Sequence, residues 1–273
     1  MKVLAGIVLY YPDKNRLQDN IDRIFPQVDA LAVFDNGGGK DALPQDERII
    51  YLTLDRVNVG IARALNELSR YGQENGYDWI LTLDQDSVCP EGMIETYKRF
   101  WDDLKIGILC PIGVDRNYGQ MEGLSPMNAV THEIDACITS GSLMRLSAWK
   151  EVGGFWNELF IDMVDFDICW AMKVKGYKII QAGVFLDHEV GHGKPCTLFG
   201  KRTMVFNHPP FRVYYMIRNT IAVCRRHGRV RQGVRWIVKR SLLINLYEDR
   251  RLKKDWMILK GIVSGLMFKV KPL

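Results

Sequence analysis

WILTLDQDS, residues 79–87, is an apolar run rich in strand-forming residues that ends in two carboxylates. A run of this length and composition predicts a buried β-strand. Three similar runs lie upstream, at residues 3–11, 30–36 and 49–54, and a segment with helical spacing of apolar residues covers 59–76. Strands that alternate with helices are typical of βαβ units. The sequence therefore predicts an α/β fold with a mainly parallel central sheet flanked by helices.

The alternation loosens beyond residue 105. Further strands are predicted at 107–113, at 134–144 with a break at Ser140-Gly141-Ser142, and within 177–191, and further helices at 147–152 and 165–175. Residues 115–130 have the composition of a loop, and the last 60 residues are predicted to be helical with little strand signal.

Polar side chains follow three of the predicted strands at the point where each strand ends. They are Tyr10 after the first strand, Asp35 and Asn36 after the second, and Asp84 and Asp86 after the fourth. In open parallel sheets, ligands bind at the carboxyl ends of strands. This pattern predicts a binding site at one sheet edge, although each motif alone also fits an ordinary turn.

Asp84 and Asp86 stand at i and i+2, so both carboxylates can point toward one ligand. Mg²⁺ and Mn²⁺ prefer oxygen ligands, and Mg²⁺ is commonly held by one or two carboxylates together with substrate phosphates. A metal there would act as a Lewis acid on a departing nucleoside diphosphate. The competing interpretation is a surface turn with two solvated aspartates.

Three further carboxylates, those of Asp162, Asp165 and Asp167, lie within the apolar run FIDMVDFDICW. Partial burial raises the pKa of a carboxyl group toward the range of a general base. A hydroxyl group that attacks as a nucleophile needs such a base. The alternative is a helix N-cap at Asp162 or Asp165, which is compatible with catalysis.

Two basic candidates lie further along the chain. His188 follows the run GVFLD, where an imidazole can complete a metal site or bind diphosphate, or can be purely structural. Arg218 lies in FRVYYMIRN, and arginine forks suit phosphate recognition. The alternative for this second segment is a solvated basic helix with aromatic side chains in the core.

The charge is divided unevenly along the chain. Residues 1–200 have 19 Lys/Arg against 29 Asp/Glu, a net charge of −10, whereas residues 201–273 have 18 against 3, a net charge of +15. We predict a catalytic domain at 1–220 and a basic amphipathic helical segment at 221–273. The segment suits an anionic membrane surface or an acceptor. Otherwise it packs its apolar face on the core; that face comprises Leu242, Leu246, Trp256, Leu259, Ile262, Val263 and Leu266.

The six cysteines show no CxxC pair and no zinc-ligand spacing, which indicates unpaired thiols in a reducing compartment. The sequence opens directly into AGIVLYYP, so we expect no secretion signal. No apolar run approaches about 18 residues, so we expect no membrane-spanning helix. These features predict a cytoplasmic protein.

Seven segments in order resemble family 2 glycosyltransferases, and within them the rhamnosyltransferase-like group. They cover roughly residues 3–220: AGIVLYYP, VFDNGG, VNVGIARALNELS, WILTLDQDS, the block from ITSGSLMR to KVKGYKI, FLDHEVG and FRVYYMIRN. The resemblance implies a GT-A fold, a nucleotide-sugar donor, a divalent metal (Mn²⁺ or Mg²⁺) and inversion at the anomeric carbon. It also implies L-rhamnose, carried by dTDP, as the sugar.

The resemblance also implies roles for individual residues. The donor would be bound by Tyr10, Asp35, Asn36, Asn58, Gly60, Asn66, Asp84 and Arg218. Asp86, Asp84 and His188 would hold the metal, with Asp86 as the principal ligand. Ser140, Gly141 and Asp162 would contact the acceptor.

Asp165 aligns with the aspartate of the family's Glu-Asp acceptor motif and is the predicted catalytic base. Val164 stands where that motif has glutamate, and Asp167 occupies a position that is usually acidic. The choice of base between Asp165 and Asp167 therefore stays open.

We thus expect an inverting transfer of rhamnose to a hydroxyl of a glycan in cell-surface polysaccharide biosynthesis, with a polyprenyl-diphosphate-linked saccharide as acceptor, at the inner face of the cell membrane. One alternative keeps the enzyme class and changes the donor to a UDP-hexose. A nucleotidyltransferase is disfavoured because AGIVLYYPDKNR lacks a glycine- and arginine-rich signature. Another alternative is a nucleic-acid-binding protein that uses the basic segment, but the acidic body would repel phosphate, so we expect no nucleic-acid partner.

Overall fold

The computed structural model describes residues 1–54, 57–115, 131–188 and 193–273, and it leaves the side chains of residues 114, 115, 187 and 188 undescribed. The loop predicted for 115–130 lies outside the described residues except at its first position, which ends a strand. The chain divides into two units. Unit 1 comprises Met1–Phe160 and Val164–Glu189, and unit 2 comprises Ile161–Met163 and Val190–Leu273.

An eight-stranded sheet forms the centre of unit 1, with the order β3-β2-β1-β4-β7-β5-β8-β6. Its strands are β1 Val3–Leu9, β2 Ala30–Asp35, β3 Ile49–Thr53, β4 Trp79–Asp84, β5 Ile106–Asp115, β6 His132–Glu133, β7 Ser142–Arg145 and β8 Lys178–His188. The first four strands in this order are all parallel, and β5 pairs with β8 in parallel. The predicted α/β fold with a mainly parallel sheet is confirmed.

Five helices accompany this sheet: α1 Lys14–Ile24, α2 Ile61–Glu74, α3 Met93–Lys98, α4 Leu146–Glu151 and α5 Val164–Val174. Helix α1 begins where the side chain of Asp13 accepts a hydrogen bond from the backbone N–H of Arg16, at 3.0 Å. Its apolar residues Leu17, Ile21 and Ile24 recur at helical spacing and are buried in the core of the sheet.

Two details differ from the sequence-based prediction. The strand expected at 134–144 breaks where predicted, since Gly141 has a φ of 75° and turns the chain, but only the part from Ser142 onward is a strand. A hairpin of β9 Lys194–Leu198 and β10 Lys201–Val205 was not predicted. Polar and charged residues alternate with few apolar ones in that hairpin, so its sequence carries only a weak strand signal.

Unit 2 contains this hairpin and three helices, α6 Pro210–Arg226, α7 Val230–Tyr247 and α8 Arg251–Met267. Helix α8 packs closely on α6 through two glycines. A Cβ on Gly261 would lie 2.9 Å from Cβ of Ile217, and one on Gly265 would lie 2.8 Å from Cβ of Ile221. Only glycine therefore permits this helix spacing. None of the helices in the described residues is long and apolar enough to cross a bilayer.

A buried ion cluster joins α7 to α8 within unit 2. The carboxylate of Glu248 lies 2.7 Å from the guanidinium of Arg240 and 2.7 Å from Nζ of Lys254. The Lys254 amine also donates to Oδ1 of Asn207, at 2.6 Å. Buried charges are tolerated when they are paired with opposite charges, and the Lys254 amine is hydrogen-bonded as well.

His208 makes the stability of unit 2 dependent on pH. Burial lowers the pKa of His208 to about 4, and Arg212, Arg240 and Lys254 add to the effect. In the unfolded chain the imidazole titrates near its ordinary pKa of about 6.5, so as the pH falls the unfolded state takes up the proton first. We expect the free energy of unfolding to fall by up to about 2 kcal/mol between about pH 7 and pH 4, after discounting for solvent screening.

Urea unfolding across this pH range measures that slope. The His208→Gln variant should lose most of it, and the His132→Gln variant, which alters an exposed histidine of unit 1, should retain it. An unchanged slope in His208→Gln would assign the pH dependence to another group.

Candidate active site

Three neighbouring parallel strands end at the same edge of the sheet in unit 1. In the register of β1 with its neighbours, Leu9 pairs with Asp35 of β2, and Val8 pairs with Asp84 of β4. The residues that follow these strands are therefore side by side. This arrangement brings together Tyr10, Asp35, Asn36, Asp84 and Asp86, as the sequence predicted.

The turn after β4 is fixed by hydrogen bonds from three directions. The side chain of Gln85 accepts from the backbone N–H of Tyr10 at 2.8 Å and donates to its carbonyl at 3.2 Å. The backbone N–H of Asp84 donates to Oγ of Ser140 at 3.0 Å, and the amide of Asn20 donates to the Asp84 carbonyl at 2.8 Å. The backbone that presents Asp84 and Asp86 is thus held in place.

The Asp84 and Asp86 side chains are half-buried, so their carboxylates are reachable from outside. The described residues contain no group of three or more His, Cys, Asp or Glu side chains that could hold a metal ion. The side chain of His188, the third predicted ligand, lies outside the described residues. Two hard oxygen donors on one turn nevertheless fit an ion such as Mg²⁺, which keeps water and substrate phosphates as its other ligands.

The carboxylate of Asp35 is buried and bonded to its own loop. One oxygen accepts from the backbone N–H groups of Gly37 and Gly39, at 2.8 and 2.9 Å. The other accepts from the Tyr51 hydroxyl at 2.6 Å. Burial raises the pKa of Asp35, but the Tyr51 and backbone hydrogen bonds outweigh it and hold the pKa below its ordinary value. The group is therefore a fixed negative charge at the strand end.

Asn36 and Asn58 shape the loop that leads into α2. Oδ1 of Asn36 accepts from the N–H of Val59 at 2.9 Å, and Oδ1 of Asn58 accepts from the N–H of Gly60 at 2.9 Å. Gly60 has a φ of 84°, and a Cβ there would lie 2.6 Å from the Phe160 carbonyl oxygen. The two asparagines and the glycine thus fix the course of the backbone beside the strand ends.

All four hydrogen-bonding positions of the Asn66 amide are occupied within unit 1. Its nitrogen donates to the Phe155 carbonyl at 2.8 Å and to Oδ1 of Asn157 at 2.7 Å. Its oxygen accepts from the Trp149 indole at 3.0 Å and from the Phe155 N–H at 2.9 Å. The side chain of Asn66 therefore ties α2 to the segment that follows α4 and has no further donor or acceptor for a ligand.

Replacing Asn66 with alanine should lower the free energy of unfolding by about 3 kcal/mol, because buried groups on Trp149 and Phe155 lose their partners. Urea unfolding measures the change. The control is Asn75→Ala, which removes an exposed side chain bonded to the Tyr71 carbonyl at 2.8 Å at the end of the same helix. That control should cost less than about 1 kcal/mol. Equal effects of the two variants would contradict the assigned role of Asn66.

The two candidates for the catalytic base differ in accessibility. Asp167 is buried, with 1 % of its surface exposed, whereas Asp165 is half-buried. Asp165 lines a small cavity that also involves Thr82, two residues before Asp84, and Thr139. Both aspartates lie in the first turn of α5, where the helix dipole favours negative charge. Asp165 is therefore the more exposed of the two candidates.

The residues predicted to bind the acceptor are engaged within the protein. Ser140 is buried, and its hydroxyl donates to Oγ of Ser87 at 2.8 Å as well as accepting from Asp84. Gly141 is buried too, and its carbonyl accepts from the Tyr97 hydroxyl at 2.9 Å. In unit 2, Asp162 accepts two hydrogen bonds from the guanidinium of Arg212, at 3.0 and 3.2 Å. Ser140 thus supports the turn of Asp84.

The remaining donor-binding candidates have contrasting surroundings. Tyr10 is 51 % exposed, and its ring meets that of Tyr11 edge-on with the centroids 4.9 Å apart. Arg218 belongs to unit 2, where its guanidinium lies 4.7 Å from the ring centroid of Tyr215 and 4.9 Å from that of Phe268. An exposed aromatic ring at a strand end is suited to stacking on a nucleobase.

Sequence reasoning missed Gln85, Tyr51 and Asn20 as supports of this site. Gln85 lies in the turn after β4, where the period-2 alternation of a strand no longer applies, so the Asp-Gln-Asp motif does not predict its hydrogen bonds to Tyr10. Tyr51 and Asn20 gave no signal either, because their contacts depend on how distant segments pair.

Two comparisons give likenesses over most of the chain. The chain is 29 % identical over 293 aligned positions to dTDP-rhamnosyl transferase RfbF of Shigella flexneri, covering 96 % of this chain and 97 % of that one. It resembles the structure of GalNAc-T7 with UDP, GalNAc and Mn²⁺, with a TM-score of 0.62 and 12 % identity over 83 % of this chain and 48 % of the other. This chain thus spans about half the length of GalNAc-T7.

It also resembles S. aureus TarS 1–349 in complex with UDP, with a TM-score of 0.53 and 13 % identity over 98 % of this chain and 73 % of the other. The two structural likenesses confirm the GT-A fold. The family model for glycosyl transferase family 2 matches residues 14–151, half of the chain, from the start of α1 to the end of α4, which includes β2 to β4 and the Asp84–Asp86 turn. The chain therefore belongs to glycosyl transferase family 2 and is a glycosyltransferase.

Proposed function

We propose that this glycosyltransferase moves L-rhamnose from dTDP-L-rhamnose to a glycan hydroxyl, with inversion at the anomeric carbon. The observation that carries the proposal is the meeting of Tyr10, Asp35, Asp84 and Asp86 at one sheet edge. Similarity along nearly the whole chain to a protein named dTDP-rhamnosyl transferase supports the choice of sugar and nucleotide.

The nucleotide would lie across the ends of β1 and β2. The exposed ring of Tyr10 would stack on the base, and the ionised Asp35 carboxylate, with the loop it orders, would accept from a base N–H or a ribose hydroxyl. Asn36, Asn58 and Gly60 would fix the backbone that runs along the nucleotide. Asn66 would stabilise this region indirectly, through its hydrogen bonds to Phe155 and Trp149.

Asp86 and Asp84 would hold a divalent cation, Mn²⁺ or Mg²⁺, with His188 as a further candidate ligand. The bound ion would supply Lewis-acid stabilisation of the leaving diphosphate. The hydrogen bonds from Gln85, Ser140 and Asn20 would keep the two carboxylates in position for this task.

Asp165 would act as the general base. It would take the proton from the acceptor hydroxyl as that oxygen forms a bond to the anomeric carbon. The bond from this carbon to the diphosphate oxygen breaks in the same step, and the electron pair leaves with dTDP. Attack from the face opposite the leaving group inverts the configuration. Asp167 is too buried for this role and would support α5.

The acceptor would be a polyprenyl-diphosphate-linked saccharide, met at the inner face of the cell membrane. The net charge of +15 on residues 201–273 supports this place of action, because anionic lipids attract basic segments. In this proposal residues 1–220 perform the transfer and residues 221–273 associate with the membrane or the acceptor.

A donor panel tests the proposal. The full chain would be mixed with Mn²⁺ or Mg²⁺ and with dTDP-L-rhamnose, dTDP-glucose, UDP-glucose or UDP-GlcNAc, and its thermal midpoint would be measured. Ligands that bind the native state raise that midpoint. The largest shift should come with dTDP-L-rhamnose in the presence of metal. UDP-sugars are the main rivals, because the TarS complexes contain UDP and UDP-GlcNAc. A larger shift with either UDP-sugar would replace the proposed donor.

A further inference from the structure

Helix α8 exposes its apolar side chains. Leu252, Trp256, Leu259, Val263, Leu266 and Met267 are between 56 and 87 % exposed. At 3.6 residues per turn these six positions fall within an arc of about 100° that runs the length of the helix. Scattered exposed apolar residues are ordinary, but a continuous stripe of six marks an interaction surface.

The opposite face of the same helix is the one that packs. Its buried residues are Lys254, Ile258, Gly261 and Gly265, and two of these are the glycines that let α8 approach α6. A helix that used its most apolar face for the core would show the reverse arrangement. Helix α8 therefore packs through its glycine face and leaves the apolar stripe exposed, so the packing alternative considered from the sequence alone does not describe α8.

Cations border the stripe. Lys253 and Lys260 follow its edge along the helix and are exposed, and the exposed Lys269 and Lys271 come just after the C-terminal end of α8. Nζ of Lys260 lies 5.3 Å from the ring centroid of Trp256, so the amine and the indole occupy neighbouring positions. An apolar stripe with an indole and flanking lysines is typical of a helix that lies in a membrane interface.

The acidic residues of residues 201–273 do not offset these cations. Glu248 is buried with Arg240 and Lys254. Asp249 accepts from Asn207 at 2.8 Å and Asp255 accepts from Asn245 at 3.0 Å, and both keep their negative charge. They are far outnumbered, because residues 201–273 have 18 Lys/Arg against 3 Asp/Glu, so this segment as a whole is strongly positive.

An apolar groove continues from the stripe. It is a cavity of about 310 Å³ between α6, α7 and α8, lined on its open side by Val230, Val234, Val238 and Leu266. Those three valines are exposed and recur every four residues, so they form one ridge of α7. Leu266 belongs to both the groove and the stripe, which makes the two features one continuous apolar surface.

We propose that this surface, consisting of the α8 stripe and the α7 valine ridge, docks on an anionic lipid monolayer with α8 in the interface plane. The inference deepens the proposed function by naming the face that meets the membrane, and its physical basis does not depend on the sugar that is transferred. A nucleic acid would need cations rather than leucine and valine at the centre of the surface. A second copy of the chain would bring two strongly positive segments together.

Vesicle flotation with the full chain tests the inference. The probes are vesicles of phosphatidylcholine alone and vesicles with about one-third phosphatidylglycerol. The chain should float with the anionic vesicles and bind phosphatidylcholine at least about tenfold more weakly, because each lysine near the surface contributes about fivefold on anionic lipid. High salt should reduce the binding to anionic vesicles.

The decisive variant is Leu259→Glu with Val263→Glu, which puts two charges into the stripe. Its control is Leu104→Glu with Val174→Glu, which makes the same changes at two exposed positions of unit 1. The stripe variant should bind anionic vesicles at least about 50-fold more weakly. The control variant should bind them only a few-fold more weakly, which is the general effect of two added negative charges. Equal losses in the two variants, or no loss in either, would overturn the inference.

Two further measurements separate the other occupants and the proposed function. If sedimentation shows a wild-type dimer and a monomeric stripe variant, and flotation shows no vesicle binding, the stripe is a homodimer interface and lipid docking is overturned. Binding to nucleic acid but not to vesicles would also overturn lipid docking. Thermal shift with dTDP-L-rhamnose and Mn²⁺ should be equal in wild type and both variants, which shows that they fold. Vesicle binding without any donor shift would refute the donor assignment and leave lipid docking intact.

Discussion

Replacing Asp165 with asparagine is expected to lower kcat for sugar transfer by about 10³-fold, while the dissociation constant of the donor changes by less than about twofold. Asparagine keeps the size and the hydrogen-bonding geometry of the side chain, so the half-buried position beside Thr82 and Thr139 stays filled. It cannot accept a proton, however, and the acceptor hydroxyl then attacks without a base. Initial rates with saturating donor, together with calorimetric donor binding, measure the two quantities.

Asp167→Asn is the matched control for this variant, because both residues lie in the first turn of α5. Asp167 is buried and does not reach a substrate in the proposed arrangement, so this change should lower the thermal midpoint but keep kcat within about threefold. If Asp167→Asn removed activity and Asp165→Asn did not, the two residues would exchange roles.

Replacing Asp86 with alanine is expected to reduce transfer by at least about 10³-fold, which corresponds to about 4 kcal/mol of lost transition-state stabilisation. The change removes one of the two carboxylates on the turn after β4 and leaves the Gln85 and Ser140 hydrogen bonds that hold the turn. Donor-induced thermal shifts should also lose their dependence on Mn²⁺. Rates measured over a series of Mn²⁺ concentrations detect the first effect, and thermal midpoints measured with donor at the same concentrations detect the second.

Asp102→Ala provides the comparison, since Asp102 is an exposed aspartate ahead of β5, outside the cluster at the strand ends. It should leave the rate and the response to Mn²⁺ unchanged. Full activity of Asp86→Ala at low Mn²⁺ would remove Asp86 from the proposed metal site.

The residues at the sheet edge of the site could be predicted from the sequence because short local segments determine them. Apolar runs define β1, β2 and β4, and polar residues follow each run, so a parallel sheet must bring Tyr10, Asp35 and Asp84 together. The supports of the site could not be predicted in this way. Ser140 bonds to Asp84 across 56 positions of sequence, and Gln85 bonds to Tyr10 across 75. Such contacts depend on strand register and on where a distant turn falls.

Helix α8 shows a second limit of prediction from sequence. Its apolar and basic periodicity predicted an amphipathic helix, and the structure contains one. Periodicity does not tell which face packs, however. Gly261 and Gly265 allow close contact with α6, and Lys254 is buried because Glu248 and Asn207 receive its charge. Hydrophobicity alone would have buried Leu259 and exposed Lys254, the opposite of what is observed.

The hydrogen bonds of Asp35 have a kinetic consequence. Because Tyr51 and two backbone N–H groups already hold its carboxylate, the loop after β2 adopts its shape before any donor arrives. The loop therefore needs little further ordering when the donor binds. Donor association should follow a single exponential, and its observed rate should rise linearly with donor concentration, without the plateau that a slow isomerisation produces. The lowered pKa of Asp35 also keeps this carboxylate of the proposed donor site charged in mildly acidic solution.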